Sequence, residues 1–162
     1  MSATHQWSES NGAGEIETIP ISNINFGSND SPNINTITYP VTRPNNSFDK
    51  YIRCLFTGVW TEISNMKFWK SLGDYVSGED IHATANVSYA TPVISDMGGS
   101  TVPITEGTAL SIQSEEGAAT IEYGISGVSG YTKYIRLQLQ TTLSTPAGSV
   151  NQKTFIFQYD EV

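Results

Sequence analysis

The chain has a single cysteine, Cys54, among 162 residues, so no internal disulfide can stand in for a hydrophobic core. Cys54 sits inside an apolar run, where a free thiol behaves as a small hydrophobe, and no His or Lys/Arg cluster lies nearby in sequence to lower its pKa. Basic residues are scarce as well: eight Lys and Arg stand against sixteen Asp and Glu, giving a formal charge of −8. An acidic chain without a basic cluster lacks the surface that neutralises phosphates, so no nucleic-acid partner is expected. The two histidines, His5 and His82, have no partner in sequence from which a catalytic constellation could be built. No apolar run approaches the roughly 18 residues of a membrane helix, and the opening MSATHQWSESNGAGE has neither the basic nor the apolar region of a secretory signal. No membrane partner is expected, and the protein should leave its cell of synthesis only by lysis or within a particle. Apolar spacing at three and four is missing throughout, which predicts little helix.

What the chain does have is alternation punctuated by turns. A domain of about this length buries roughly 68–70% of its unfolded surface, enough for a real core. Tyr51–Thr57 puts Ile52, Cys54 and Phe56 on one face and Tyr51, Arg53, Leu55 and Thr57 on the other. Met66–Trp69 begins another strand. Tyr134–Gln140 alternates without a fault, with Ile135, Leu137 and Leu139 on one face, and Lys153–Tyr159 returns with Phe155, Phe157 and Tyr159 aligned. Weaker strands are predicted from Ile16 to Ile21, an edge because Pro20 cannot donate to a ladder, over Asn35–Val41, from His82 to Tyr89, and around Leu110 and Ile121. The connections Phe26–Asn33, Ser71–Asp80 and Thr142–Gln152 are rich in Gly, Pro, Ser and Asn. Short strands with turns every 8–12 residues predict an all-β fold, an antiparallel β-sandwich of immunoglobulin-like or jelly-roll-like form. Either Trp60 or Trp69 can plug the space between the sheets.

Met1–Glu15 is polar and holds one large apolar side chain, Trp7. Such a segment cannot offset its own ordering entropy. The expectation is a flexible N-terminal arm over residues 1–15, with Trp7 laid on a neighbouring subunit, followed by one sandwich domain over residues 16–162. Deleting the arm should then leave the melting temperature nearly unchanged.

Chemistry-bearing constellations are sparse. The acids of Ser71–Asp80 do not follow the EF-hand spacing, and Glu115-Glu116 sit in a turn, so neither a metal nor a catalytic assignment is made. Gly124–Gly130 lacks the lysine and the helix of a phosphate loop, so no cofactor is expected. One feature recurs: Lys50-Tyr51-Ile52-Arg53 returns as Lys133-Tyr134-Ile135-Arg136. If the two strands are neighbours, Tyr51, Arg53, Tyr134 and Arg136 share the face opposite the core, where rings and guanidinium groups can stack. These four residues, with Trp7, are the candidate partner contacts.

Phe48–Arg53, the Met66–Lys70 strand and the closing hairpin Lys133–Tyr159 with its Pro146-Ala147-Gly148 turn resemble β-sandwich structural proteins of tailed bacteriophage particles, in particular small auxiliary or decoration proteins of the capsid. The resemblance covers roughly Ile16 to Val162. It implies a non-enzymatic cement module of the virion that binds the major capsid protein or other virion proteins, often as a homo-oligomer, partly through an extended terminal arm. Two further readings stand beside it. One is a carbohydrate- or receptor-binding module of a tail fibre, using Trp7, Tyr75, Tyr89 and Tyr131; the other is a tail or neck connector.

Overall fold

The structure, a computed structural model, describes residues 2–148 and 151–162. Ser149 and Val150, within the turn expected over Thr142–Gln152, and Met1 of the expected arm lie outside the described residues. Among the described residues ten strands form: β1 (Thr4–Asn11), β2 (Ile16–Thr18), β3 (Lys50–Thr57), β4 (Glu62–Leu72), β5 (Glu79–Val87), β6 (Ser100–Thr101), β7 (Leu110–Ser111), β8 (Ile121–Glu122), β9 (Tyr134–Thr141) and β10 (Thr154–Glu161). The helical content of the described residues is one 3-10 turn, Glu106–Thr108. A six-stranded sheet in the order β2-β1-β3-β9-β5-β6 packs on a smaller one in which β4 carries β10 on one side and β7 and β8 on the other, all antiparallel. The protein is an antiparallel β-sandwich.

The strict alternation in β3 and β9 decides which faces meet. Ile52, Cys54 and Phe56, with Ile135, Leu137 and Leu139, turn inward beside Ile81 and Ala83 of β5 and meet Ile63, Met66 and Phe68 of β4. Phe155, Phe157 and Tyr159 of β10 pack against this core from the edge of the smaller sheet. Trp60 lies in the core, its indole N–H donating to the Ile121 carbonyl at 3.1 Å. Trp69 is buried outside that cluster, on the other face of β4 from Phe68.

The N-terminal segment corrects the expectation of an arm. Thr4–Asn11 is an interior strand, paired with β3 from Thr4↔Thr57 to Ser10↔Tyr51 and with β2 on its other side. The expected boundary after Glu15 therefore falls within the sheet. Trp7 stands between the sheets, 6.1 Å from Phe68 and edge-on to Phe157 at 5.1 Å. The segment looked too polar because its partners lie far away in sequence. Glu9 faces inward but meets Lys50 at 2.7 Å, both side chains fully buried, and Ser10 bonds the Tyr134 hydroxyl. Long-range polar pairing supplies what local hydrophobicity lacks.

Asn35–Val41 is a second correction. The Asn35 side chain accepts from the backbone N–H groups of Ile37 and Thr38, and its carbonyl accepts from Thr38 and Tyr39. This local Asx turn takes the donors that a strand would need. It belongs to a long excursion between β2 and β3 that crosses one end of the sandwich. There Ile21, Ile24, Phe26 and Val41 pack against the core.

Candidate functional site

Three features carry polar or apolar side chains that the two-sheet core does not absorb: the repeated motif, an open cleft between the sheets, and an apolar end. The motif lies where β3 meets β9. Ile52 faces Ile135 and Tyr51 faces Arg136, so the two segments cross about a local two-fold axis. The Arg136 guanidinium lies over the Tyr51 ring at 5.7 Å, and that of Arg53 over Tyr134 at 4.7 Å. The four residues are together on one face, as the alternation implies.

That face is not open. Tyr89 packs on both tyrosines, 5.0 Å from Tyr51 and 5.8 Å from Tyr134, and its hydroxyl donates to the Gly12 carbonyl. Tyr51 and Tyr134 are buried. Arg53 is clamped between Tyr131, at 3.9 Å, and Tyr134, and bridges Glu17 at 3.0 Å and Glu115 at 2.9 Å. Arg136 is paired with the buried Asp49, whose other oxygen accepts from the Val93 N–H. The set therefore ties the loops around Glu15, Tyr89 and Glu115 to the sheet, and a partner cannot reach its rings in this chain. Glu17, Asp49, Tyr89 and Glu115 were not singled out in sequence as members of this set; Asp49 adjoins the first motif, but Glu17 comes from β2 and Tyr89 and Glu115 from distant loops, without a local signal.

The charges follow from this enclosure. Burial pushes the Glu17 carboxyl up, yet hydrogen bonds from Ser8, Arg53 and Tyr131 outweigh it and leave its pKa below the ordinary value. For Arg53, burial opposes the charge, and its pairing with Glu17, aided by Tyr134 and Glu115, raises the pKa on balance. Burial raises Tyr51 and Tyr134, and Tyr89 is pushed up to about 12 by burial and by the neighbouring Asp30 and Glu15. Burial likewise raises the Cys54 thiol, the opposite of what a nucleophile needs.

The second feature is a cleft of about 1100 Å³ between the sheets. Its walls are Trp7, Ile52, Ile81 and Leu139 from the larger sheet and Phe68, Phe155 and Phe157 from the smaller, with Ile21–Phe26 and Pro40–Arg43 of the excursion across it. At its mouth Lys153 bridges Glu79 at 2.9 Å with both side chains nearly buried, and Arg43 donates to the Thr145 carbonyl. Tyr75 lies beside this bridge with Lys70 at 4.9 Å and Lys153 at 5.4 Å from its ring centre, and burial, with Asp80, pushes its hydroxyl up to about 12.

The third feature is the apolar rim at the same end. Ile37 is 89% exposed, Leu143 78% and Leu72 66%. Ile37 lines the cleft itself, Leu143 lies in the turn between its lining residues Thr141 and Thr145, and Leu72 pairs with the lining residue Thr154.

The four rings considered for a sugar platform do not form an exposed row. Trp7 is between the sheets, Tyr75 lies by the lysines, Tyr89 rests on Tyr51 and Tyr134, and Tyr131 covers Arg53. Compared with known families, curated proteins and solved structures, the chain matches none of them.

Proposed function

We propose that this chain is a non-enzymatic structural protein of a tailed-phage particle, a decoration or cement module that binds the assembled capsid lattice. The observation that carries the reading is the apolar end, where Ile37, Leu72 and Leu143 stand out around the mouth of an apolar cleft. Exposed apolar side chains gathered at one place mark a contact surface. The resemblance of the Phe48–Arg53, Met66–Lys70 and Lys133–Tyr159 segments to phage auxiliary proteins supports the same reading. With β1 in the sheet, docking falls to the body of the sandwich. A protein that binds the lattice but not the free capsid subunit stabilises the lattice by mass action, and repetition of a modest contact gives avidity without a deep site.

The test is co-sedimentation with expanded phage capsids that lack an auxiliary protein. The native chain should pellet with the capsids, and a variant combining Ile37→Ser and Leu143→Ser should keep its melting temperature and remain in the supernatant. A native chain that stays in the supernatant yet is retained on a glycan array overturns the proposal.

A further inference from the structure

Among the described residues, most edge strands of the sandwich are short. β2 is three residues long and runs into Pro20, while β6, β7 and β8 have two residues each. Edges this short present little backbone to an incoming strand. β10 is different: eight residues, TFIFQYDE, without Gly, Pro, Lys or Arg, whose backbone pairs with β4 alone, while the Glu161 carboxylate accepts from the Ala3 N–H and the Ser2 hydroxyl. Both irregularities of the β4–β10 pairing put the extra residue on β4, since Thr154 and Phe155 face Leu72 and Lys70 while Gln158 and Asp160 face Lys67 and Ser64. β10 thus keeps a regular edge, with the exposed Ile156 on its outer face.

We infer that β10 pairs antiparallel with β10 of a second copy of this chain, joining the two small sheets across a two-fold axis at Phe157. Residues directly opposite in an antiparallel pair lie on the same face, so only registers that match inward with inward residues are allowed. Centred on Phe157, the pairing sets Phe155 against Tyr159 of the second copy on the inner face, and Ile156 against Gln158 and Thr154 against Asp160 on the outer face. Lys153 then comes opposite Glu161. The next register along, centred on Gln158, sets Phe155 against Glu161. Aromatic pairs and opposite charges across strands are favourable, and an apolar ring against a carboxylate is not. Lys153 is already bridged to Glu79, so the charge match is one between the basic start and the acidic end of the strand. The inward rings of the second copy enter at the side of the cleft that Phe155 and Phe157 already line. This inference is independent of the capsid reading, because its test uses the isolated protein.

Sedimentation equilibrium over a concentration series should give twice the 17.6 kDa chain mass at the upper end, and Ile156→Lys should shift the series to monomer with an unchanged circular-dichroism spectrum. Cysteines then read the register, since the native Cys54 is fully buried. A chain carrying both Ile156→Cys and Gln158→Cys should form a reducible dimer under mild oxidation, whereas Ile156→Cys alone should stay a single chain on a denaturing gel. A monomer mass throughout, a dimer untouched by Ile156→Lys, or equal cross-linking by the single and double variants overturns the inference.

Discussion

Ile52 faces Ile135 across β3 and β9, and around that pair the two Lys-Tyr-Ile-Arg segments place each arginine over the tyrosine of the other strand. Both isoleucines are buried in the core, and the Tyr–Arg pairs on the far face hold down a polar layer of loops. Repetition of the motif therefore reflects one structural demand met from both sides of a strand pair.

A double-mutant cycle measures that demand. Combining Arg53→Leu with Tyr134→Leu should reveal a coupling of about 0.5–2 kcal/mol, as expected for a partly desolvated cation–π pair. Urea unfolding of the single and double variants reads it; additive effects contradict the stacking account.

Lys50 and Glu9 form a fully buried pair at 2.7 Å, and Lys50 also donates to the Ser31 carbonyl. Replacing Lys50→Met leaves a carboxylate uncompensated in the interior and should cost about 3–5 kcal/mol. Lys50→Met together with Glu9→Leu should recover much of that loss in thermal unfolding, because neither charge then remains.

Acid should weaken the polar layer. The folded-state pKa of Glu17 is depressed, so its contribution to stability is present above its unfolded value of about 4.3 and is lost as pH falls through the folded value. Glu17→Gln should therefore flatten the loss of stability below about pH 4.3, measured as melting temperature against pH, and leave the slope above that range unchanged.

Gly130 is required for close approach. Its carbonyl accepts from the Phe56 N–H at 2.8 Å, and a Cβ would lie 2.3 Å from the Phe56 carbonyl oxygen. Gly130→Ala should cost about 1–3 kcal/mol through displaced backbone, seen as a lower urea midpoint at constant slope.

Removing residues 1–11 should abolish folding. The deletion strips β3 of a seven-residue ladder, takes Trp7 from between the sheets and leaves Lys50 without Glu9. Loss of the near-ultraviolet aromatic signal would show it; a deletion variant that melts like the full chain contradicts the placement of β1.

The strongest strands were legible because their information is local. Ile52-Cys54-Phe56 and Ile135-Leu137-Leu139 alternate without help, and the two-sheet class follows from such runs and the turns between them. β1 was not legible because its inward Glu9 makes sense only beside Lys50, far along the chain, and its serines only beneath Tyr134 and Glu17. Asn35–Val41 misled for the opposite reason: its β-branched residues favour a strand, but the Asn35 side chain satisfies the backbone locally. The cleft arises from where the excursion and the turn residues Thr145–Gly148 lie, which periodicity does not encode. The grouping of Tyr51, Arg53, Tyr134 and Arg136 could be foreseen from strand faces, whereas their enclosure by Tyr89 could not.

Hydrogen–deuterium exchange of the free and capsid-bound protein tests most directly the claim that docking uses the body of the sandwich. The account predicts that Thr4–Asn11 is equally protected in both states and that new protection on the capsid appears at the turns carrying Ile37 and Leu143 and beside Leu72. Free exchange of Thr4–Asn11 in the isolated protein, with protection gained there only on the capsid, would contradict it.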